Sequence, residues 1–237
     1  MSSSTNETME IPPFKTGTAP RLRLTGIRSD FPILAGMVKP HSKVLDIGCG
    51  DGDLLHFLAL ERGVDGRGME LSQDGVNASV SRGLAVVQGD ADTDLVDYPD
   101  DAFDVVILSQ SLQVLHYPRK VLEQMLRTGR QAIVSFPNFV YWRVRLDLGL
   151  RGRMPLTSDL PVPWYDTANI HLCTILDFME MCEDMGLNIE QGLTLDRKGN
   201  AKSIGPVLGF RPGFGRGLSP GWANLIGEQG VFLLQKK

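Results

Sequence analysis

The chain has 237 residues, 42% hydrophobic and 22% charged, and 28 acids against 24 Lys and Arg leave a formal charge of −4. That balance excludes the basic footprint a duplex nucleic-acid binder needs, and the length allows one large domain with excursions. Three cysteines, Cys49, Cys173 and Cys182, are too few for a disulfide framework and suit a reducing cytoplasm. The four histidines, His41, His56, His116 and His171, never form a two-histidine motif, so no metal is expected.

Residues 1–27 are polar and proline-punctuated, without the apolar stretch of a secretion signal, and read as a loose extension before a single domain over 28–237. No apolar run approaches membrane-spanning length, so no membrane is expected and the location expected is cytoplasmic. From residue 43 onward, runs of Val, Ile and Leu begin about twenty residues apart, the rhythm of βαβ units. Strands are predicted at 43–47, 67–71, 84–88, 103–109 and 131–136, with helices at 52–62, 73–82, 118–128 and 174–185. After Phe136 the rhythm stops, and an insertion over about 137–172 holds prolines, aromatic residues and Arg143, Arg145, Arg151 and Arg153. Within it the apolar positions 142, 144, 146, 148 and 150 alternate like a strand, whereas Phe139, Trp142, Leu146 and Leu150 are helical neighbours, which the length favours. Strands at 187–195 and 230–237 bracket a Gly- and Pro-rich loop over about 196–229. If those two pair antiparallel at the edge, the fold is α/β, a doubly wound, Rossmann-like, mostly parallel seven-stranded sheet with an insertion after the fifth strand.

The stretch VLDIGCGDG, residues 44–52, is a buried strand ending near Asp46, then Gly48, Gly50 and Gly52 around Cys49 and Asp51, then a helix. Glycines let the backbone approach a ligand closely, and a helix N-terminus offers free N–H groups to an anion. Asp53 stands where the dinucleotide fingerprint would have its third glycine. Glu70, twenty residues after Gly50 and beside Leu71, ends the second strand, where a carboxylate accepts hydrogen bonds from both hydroxyls of a ribose. Asp90 and Ala91, another twenty residues on, end the third strand, where an acid meets an exocyclic adenine amine. A nucleoside with a carboxylate tail satisfies all three positions, which points to S-adenosylmethionine or S-adenosylhomocysteine, with Ser109, Gln110 and Gln113 placed to line its reactive end. Each residue also has a structural reading. Asp46 can cap a turn, Asp51 and Asp53 a helix, and Asp90 belongs to an acidic stretch (Asp92, Asp94, Asp97, Asp100, Asp101, Asp104) that reads as solvated surface. Cys49 reads as a small filler, since no histidine lies near it in sequence to activate the thiol.

The glycine turn, Glu70, Gly89-Asp90 and FDVVILS resemble the class I S-adenosylmethionine-dependent methyltransferases. RQAIVSFPNFVYWRVRLDLGLRGRMPLT, WYDTANIHLCTILDFMEMCEDMGL and NLIGEQGVFLLQKK are similar to the MetW family of methionine-biosynthesis proteins, a likeness covering about 28–195 and the last dozen residues. The resemblance implies a methyltransferase-like fold whose Asp46, Gly48, Gly50, Glu70 and Asp90 match the cofactor motifs. It also implies a partner, the homoserine O-acyltransferase (acetyl or succinyl), which such proteins support by direct contact. The alternative is a methyltransferase acting on a small-molecule acceptor. Ser109-Gln110-Ser111-Leu112 replaces the Asn-Pro-Pro-Tyr type of tetrapeptide, which argues against amino-group methylation of nucleobases. Ser135-Phe136-Pro137-Asn138 reads as a strand ended by proline, with asparagine capping the next element. His116, Tyr117, Trp142, Tyr165 and His171 are candidates for an acceptor pocket or an interface, and the Trp142 block reads equally as a lid packed on its own sheet.

Overall fold

Parallel strands need crossovers, and the helices between the first five apolar runs supply them. The computed structural model describes residues 28–156, 162–205 and 217–236. Its elements begin with α1 (Phe31–Met37), β1 (Lys43–Ile47), α2 (Asp53–Arg62), β2 (Asp65–Glu70), α3 (Gln73–Ser81), β3 (Ala85–Gln88), β4 (Phe103–Ser109), α4 (Pro118–Thr128) and β5 (Gly129–Pro137). They continue with α5 (Trp142–Arg151), α6 (Ile175–Asp184), β6 (Asn188–Leu195), β7 (Ala201–Ser203), α7 (Pro220–Ile226) and β8 (Gln229–Gln235). The sheet order is β3-β2-β1-β4-β5-β8-β6-β7, parallel from β3 to β5 and antiparallel beyond.

The expected architecture stands with eight strands in place of seven. The additional strand, β7, is three exposed residues on β6, too short to leave an apolar alternation in the sequence. Helix α7 lies inside the expected loop 196–229: Ser219 caps it by accepting from the Trp222 N–H, and Pro220 occupies its first turn. That start signal is hidden by the Gly and Pro content around it. Helix α1 was also unmarked by composition. The expectations for residues 1–27, for 157–161 of the insertion, for 206–216 of the loop and for Lys237 lie outside the described residues. Among the described residues no helix is long and apolar enough to cross a membrane.

Alternate residues of the central strands enter two cores, as a period of two requires, while β3 at the edge is largely exposed. Val106 and Leu108 of β4, with Ala132, Val134 and Phe136 of β5, pack under α4 and α6. Val105, Ile107 and Ile133 pack on the other face with Leu34 of α1 and Leu54 and Leu58 of α2. Phe136 and Phe232 face Phe178 at ring distances of 4.8 Å each, which packs α6 across β5 and β8.

Asn138 does not cap α5, whose N-cap residue is Tyr141. Its buried amide donates to the carbonyls of Asn224 and Gly227, both at 2.8 Å, and the Asn224 side chain accepts from the Ile175 N–H at 3.1 Å. One side chain thus ties the end of β5 to the segment entering β8. Asn138→Ala is expected to destabilise the fold by about 2–4 kcal/mol, because two buried carbonyls lose their donor. Urea unfolding measures this, and a loss under about 1 kcal/mol would mean that water replaces the amide.

Candidate functional site

The chain runs outward through β1, β2 and β3, then returns to place β4 on the opposite side of β1, so a crevice opens at the carboxyl ends of β1 and β4. The glycine turn floors it. Gly48 has φ +67°, and a Cβ there would lie 2.7 Å from Ser111 Oγ, because the loop after β4 crosses directly above. Gly52, at φ +82°, starts α2, so neither Asp51 nor Asp53 caps that helix; both pair with Arg82 at the surface instead.

Glu70 braces the turn: Oε2 accepts the Gly50 N–H at 2.8 Å and Oε1 accepts the Ser72 N–H at 2.9 Å. The Gly50 carbonyl accepts from Ser79 of α3 at 3.0 Å, completing a bracket across β1, β2 and α3. Gly48, Glu70, Leu71, Asp90 and Ala91 line one cleft of about 260 Å³, together with Asp92, Ser111 and His116. Asp90 Oδ1 accepts the Asp92 N–H at 2.9 Å, and its own N–H donates to Asp94 at 2.8 Å.

Asp92 departs from the solvated reading. It is buried and accepts the backbone N–H groups of His116 and Tyr117, each at 2.9 Å, with the His116 ring 3.3 Å away. Burial alone would raise its pKa, but those hydrogen bonds outweigh it and hold the carboxyl below its usual value. Asp92 therefore anchors the loop that carries His116 to the cleft. Nothing in the acidic run distinguishes it, since the partners lie 24 and 25 residues away.

Behind the cleft, Asp46 is 2% exposed, and its Oδ1 has no hydrogen-bond partner among the described residues. Its pKa rises to about 7, chiefly by burial, with Glu70 adding to the rise and Arg28 opposing it. Arg28 is the residue sequence reasoning missed: its guanidinium pairs with buried Asp30 and donates to Ser109 Oγ at 2.7 Å, a contact across 81 residues that leaves no local signal. Cys49 behaves as the filler expected. Burial first, then the nearby Asp46 and Glu70 carboxyls, push its thiol to about 12, where it is inert.

Ser109 bonds Ser135 at 3.2 Å at the ends of β4 and β5, and Gln113 tethers the insertion, its carbonyl accepting the Ile170 and His171 N–H groups at 2.9 and 3.0 Å. Gln110 sits at φ 59°, a left-handed conformation unusual for a side chain of its size. Gln110 Nε2 and Gln113 Oε1 are buried without partners among the described residues, so the carboxyl ends of β1 and β4 hold a donor and two acceptors unspent. A second cavity, about 220 Å³ and mostly apolar, lies within the insertion between Phe139, Met154, Trp164 and Leu172.

The family model for "Methionine biosynthesis protein MetW" matches residues 28–234. A curated relative from Rhodopirellula baltica, "Bifunctional methionine biosynthesis protein MetXA/MetW", is 34% identical over 164 residues. That match takes in 65% of this chain but 26% of the relative, so the chain spans about a quarter of that protein's length. Among solved structures, a SAM-dependent methyltransferase from Archaeoglobus fulgidus superposes with a TM-score of 0.62 at 16% identity, covering 89% of this chain and 93% of that one. A SAM-dependent methyltransferase from Thermotoga maritima, described as a possible histamine N-methyltransferase, gives 0.60 at 17% identity over 88% of each chain. These likenesses establish the class I methyltransferase fold.

Asp46 makes stability depend on pH with a definite sign. Its folded pKa of about 7 lies above the ordinary 3.8, so the stability it contributes is complete below pH 3.8 and is lost as pH rises to about 7. Relative to Asp46→Asn, the wild type is expected to lose on the order of 4 kcal/mol across that window. Urea unfolding of both proteins at several pH values reads the difference, and a constant gap would contradict the assignment.

Proposed function

The chain belongs to the MetW family of methionine biosynthesis proteins, and on that premise we propose that it is an S-adenosylmethionine-binding accessory subunit of the homoserine O-acyltransferase. The observation that carries the partner is the Rhodopirellula baltica relative, whose name joins a MetXA part to a MetW part in one polypeptide. We take the MetXA part to be the acyltransferase that the family resemblance implied. Fusion keeps two proteins at high effective concentration, a result that separate chains reach through an interface.

The ligand is supported by the fit of the cleft to its parts. The tail ammonium suits the unpartnered Asp46 Oδ1, and the tail carboxylate suits Arg28 and the N–H groups that begin α2. Gly48 and Gly50 admit the tail to the backbone, with Cys49 filling the turn behind them. Glu70 keeps lone pairs for the ribose after accepting Gly50 and Ser72, Leu71 and Ala91 flank the adenine, and Asp90 Oδ2 receives its amine. Ser109 and Gln113 shape the far end. Asp51, held by Arg82, serves the turn from outside. When bound, the ligand carries a transferable methyl group. A second reading, a methyltransferase for a small acceptor, is favoured by the solved structures that share the fold. Release of S-adenosylhomocysteine on adding pathway metabolites separates the two.

Glu70→Ala is expected to weaken S-adenosylmethionine by about 1–3 kcal/mol, through lost charge-assisted hydrogen bonds and a loosened glycine turn. Calorimetric titration measures it, and a wild type that takes up no ligand would remove the cofactor from the proposal. Co-expression with the acyltransferase encoded in the same genome is expected to give one co-eluting species on size exclusion. Separate elution of two folded proteins would shift the weight to the methyltransferase reading.

A further inference from the structure

Helix α5 has ten residues and buries none of them. Trp142, Leu146 and Leu150 share one face at a spacing of four, at 40%, 51% and 78% exposure. A lid packed on its own sheet would cover that face; this helix turns it to solvent. Beyond the helix, Met154, Leu156, Trp164 and Tyr165 are exposed as well, and Met154 and Trp164 line one cavity. Lone exposed leucines are ordinary, but a helix with its whole apolar face uncovered marks an interaction surface.

Its charge is as distinctive as its apolarity. Over residues 142–153, four arginines against Asp147 alone give +3, in a chain whose total is −4. Arg143 lies over the Trp142 ring at 5.3 Å, and Arg151 reaches Asp147 at 3.4 Å across a largely exposed pair of little energetic weight. Flanking the helix, the cavity of about 220 Å³ between Phe139, Met154, Trp164 and Leu172 is shaped to take one apolar anchor.

We infer that α5, with Met154 and Trp164 beside it, forms the docking face for the acyltransferase, which meets it with an apolar anchor rimmed by carboxylates. This rests on the partner reading above and adds the place of contact. The occupant follows from two observations. The name of the Rhodopirellula baltica relative joins a MetXA part to a MetW part in one chain, which favours the MetXA-type protein, taken above as the acyltransferase, as the occupant. A second copy of this chain, joined face to face through the same patch, would set +3 against +3, which like-charge repulsion opposes.

The test compares the affinity of the separately expressed acyltransferase for wild type, for Leu146→Asp/Leu150→Asp, and for Leu60→Asp, an equally exposed leucine on α2 (59% against 51% for Leu146). The double variant is expected to bind at least about thirtyfold more weakly, and Leu60→Asp within about twofold of wild type. Arg143→Glu/Arg153→Glu should weaken binding in the same direction and flatten its dependence on salt, which keeps the test decisive should the leucine variant fail to fold. If wild type binds and both α5 variants bind equally well, this face is wrong and the partner reading survives. If wild type forms no complex, the partner reading fails and takes the face with it. A wild-type homodimer that Leu146→Asp/Leu150→Asp disperses would overturn the proposed occupant in favour of a second copy.

Discussion

Glu70 holds together the crevice at the carboxyl ends of the parallel strands. Its two carboxylate oxygens accept one backbone N–H each, from the glycine turn after β1 and from the start of α3. A turn of glycines has no side chains with which to fix itself, and the backbone conformations it uses are loosely determined in isolation. A carboxylate at the end of the adjacent strand supplies what the turn lacks. The crevice at the reversal of strand order therefore has a defined floor, and the same acid lines the cleft above it.

The polar groups around that floor are unequally satisfied. Asp92 accepts three hydrogen bonds and Glu70 two, whereas Asp46, Gln110 and Gln113 each keep a buried polar atom without a partner among the described residues. Satisfied acids stabilise loops, whereas a buried polar atom without a partner costs free energy until a complementary group meets it. The split sets acids held by backbone N–H groups apart from side chains with a polar atom left over. Arg28 is paired with Asp30 and lies against Ser109 at the mouth of the reversal.

The other half of the sheet has a different logic. The three phenylalanines Phe136, Phe178 and Phe232, with the Asn138 amide beside them, lock β5, α6 and β8 into one block. From that block α5 projects with its apolar residues uncovered, so the rigid part of the fold presents the surface that its own core does not use. The loop after β4, which helps line the cleft, is tied to the insertion through the Gln113 carbonyl and the backbone of Ile170 and His171.

Much of this was legible along the chain. The five parallel strands, the helices between them and the helical reading of 142–150 follow from local periodicity, because the length and spacing of apolar runs are properties of contiguous residues, even at β3, whose run lies largely exposed. The glycine turn and the acids at successive strand ends follow from spacing for the same reason. What tertiary structure decided concerns residues distant in sequence or too brief to form a pattern. It gave β7 its place as a three-residue edge strand, Asp92 its burial, Asn138 a bridge in place of a cap, and Arg28 its contact with Ser109. Whether the apolar face of α5 is covered was likewise undetermined by periodicity: a helical stripe records that apolar residues share a side, and only the packed molecule shows whether anything lies against it.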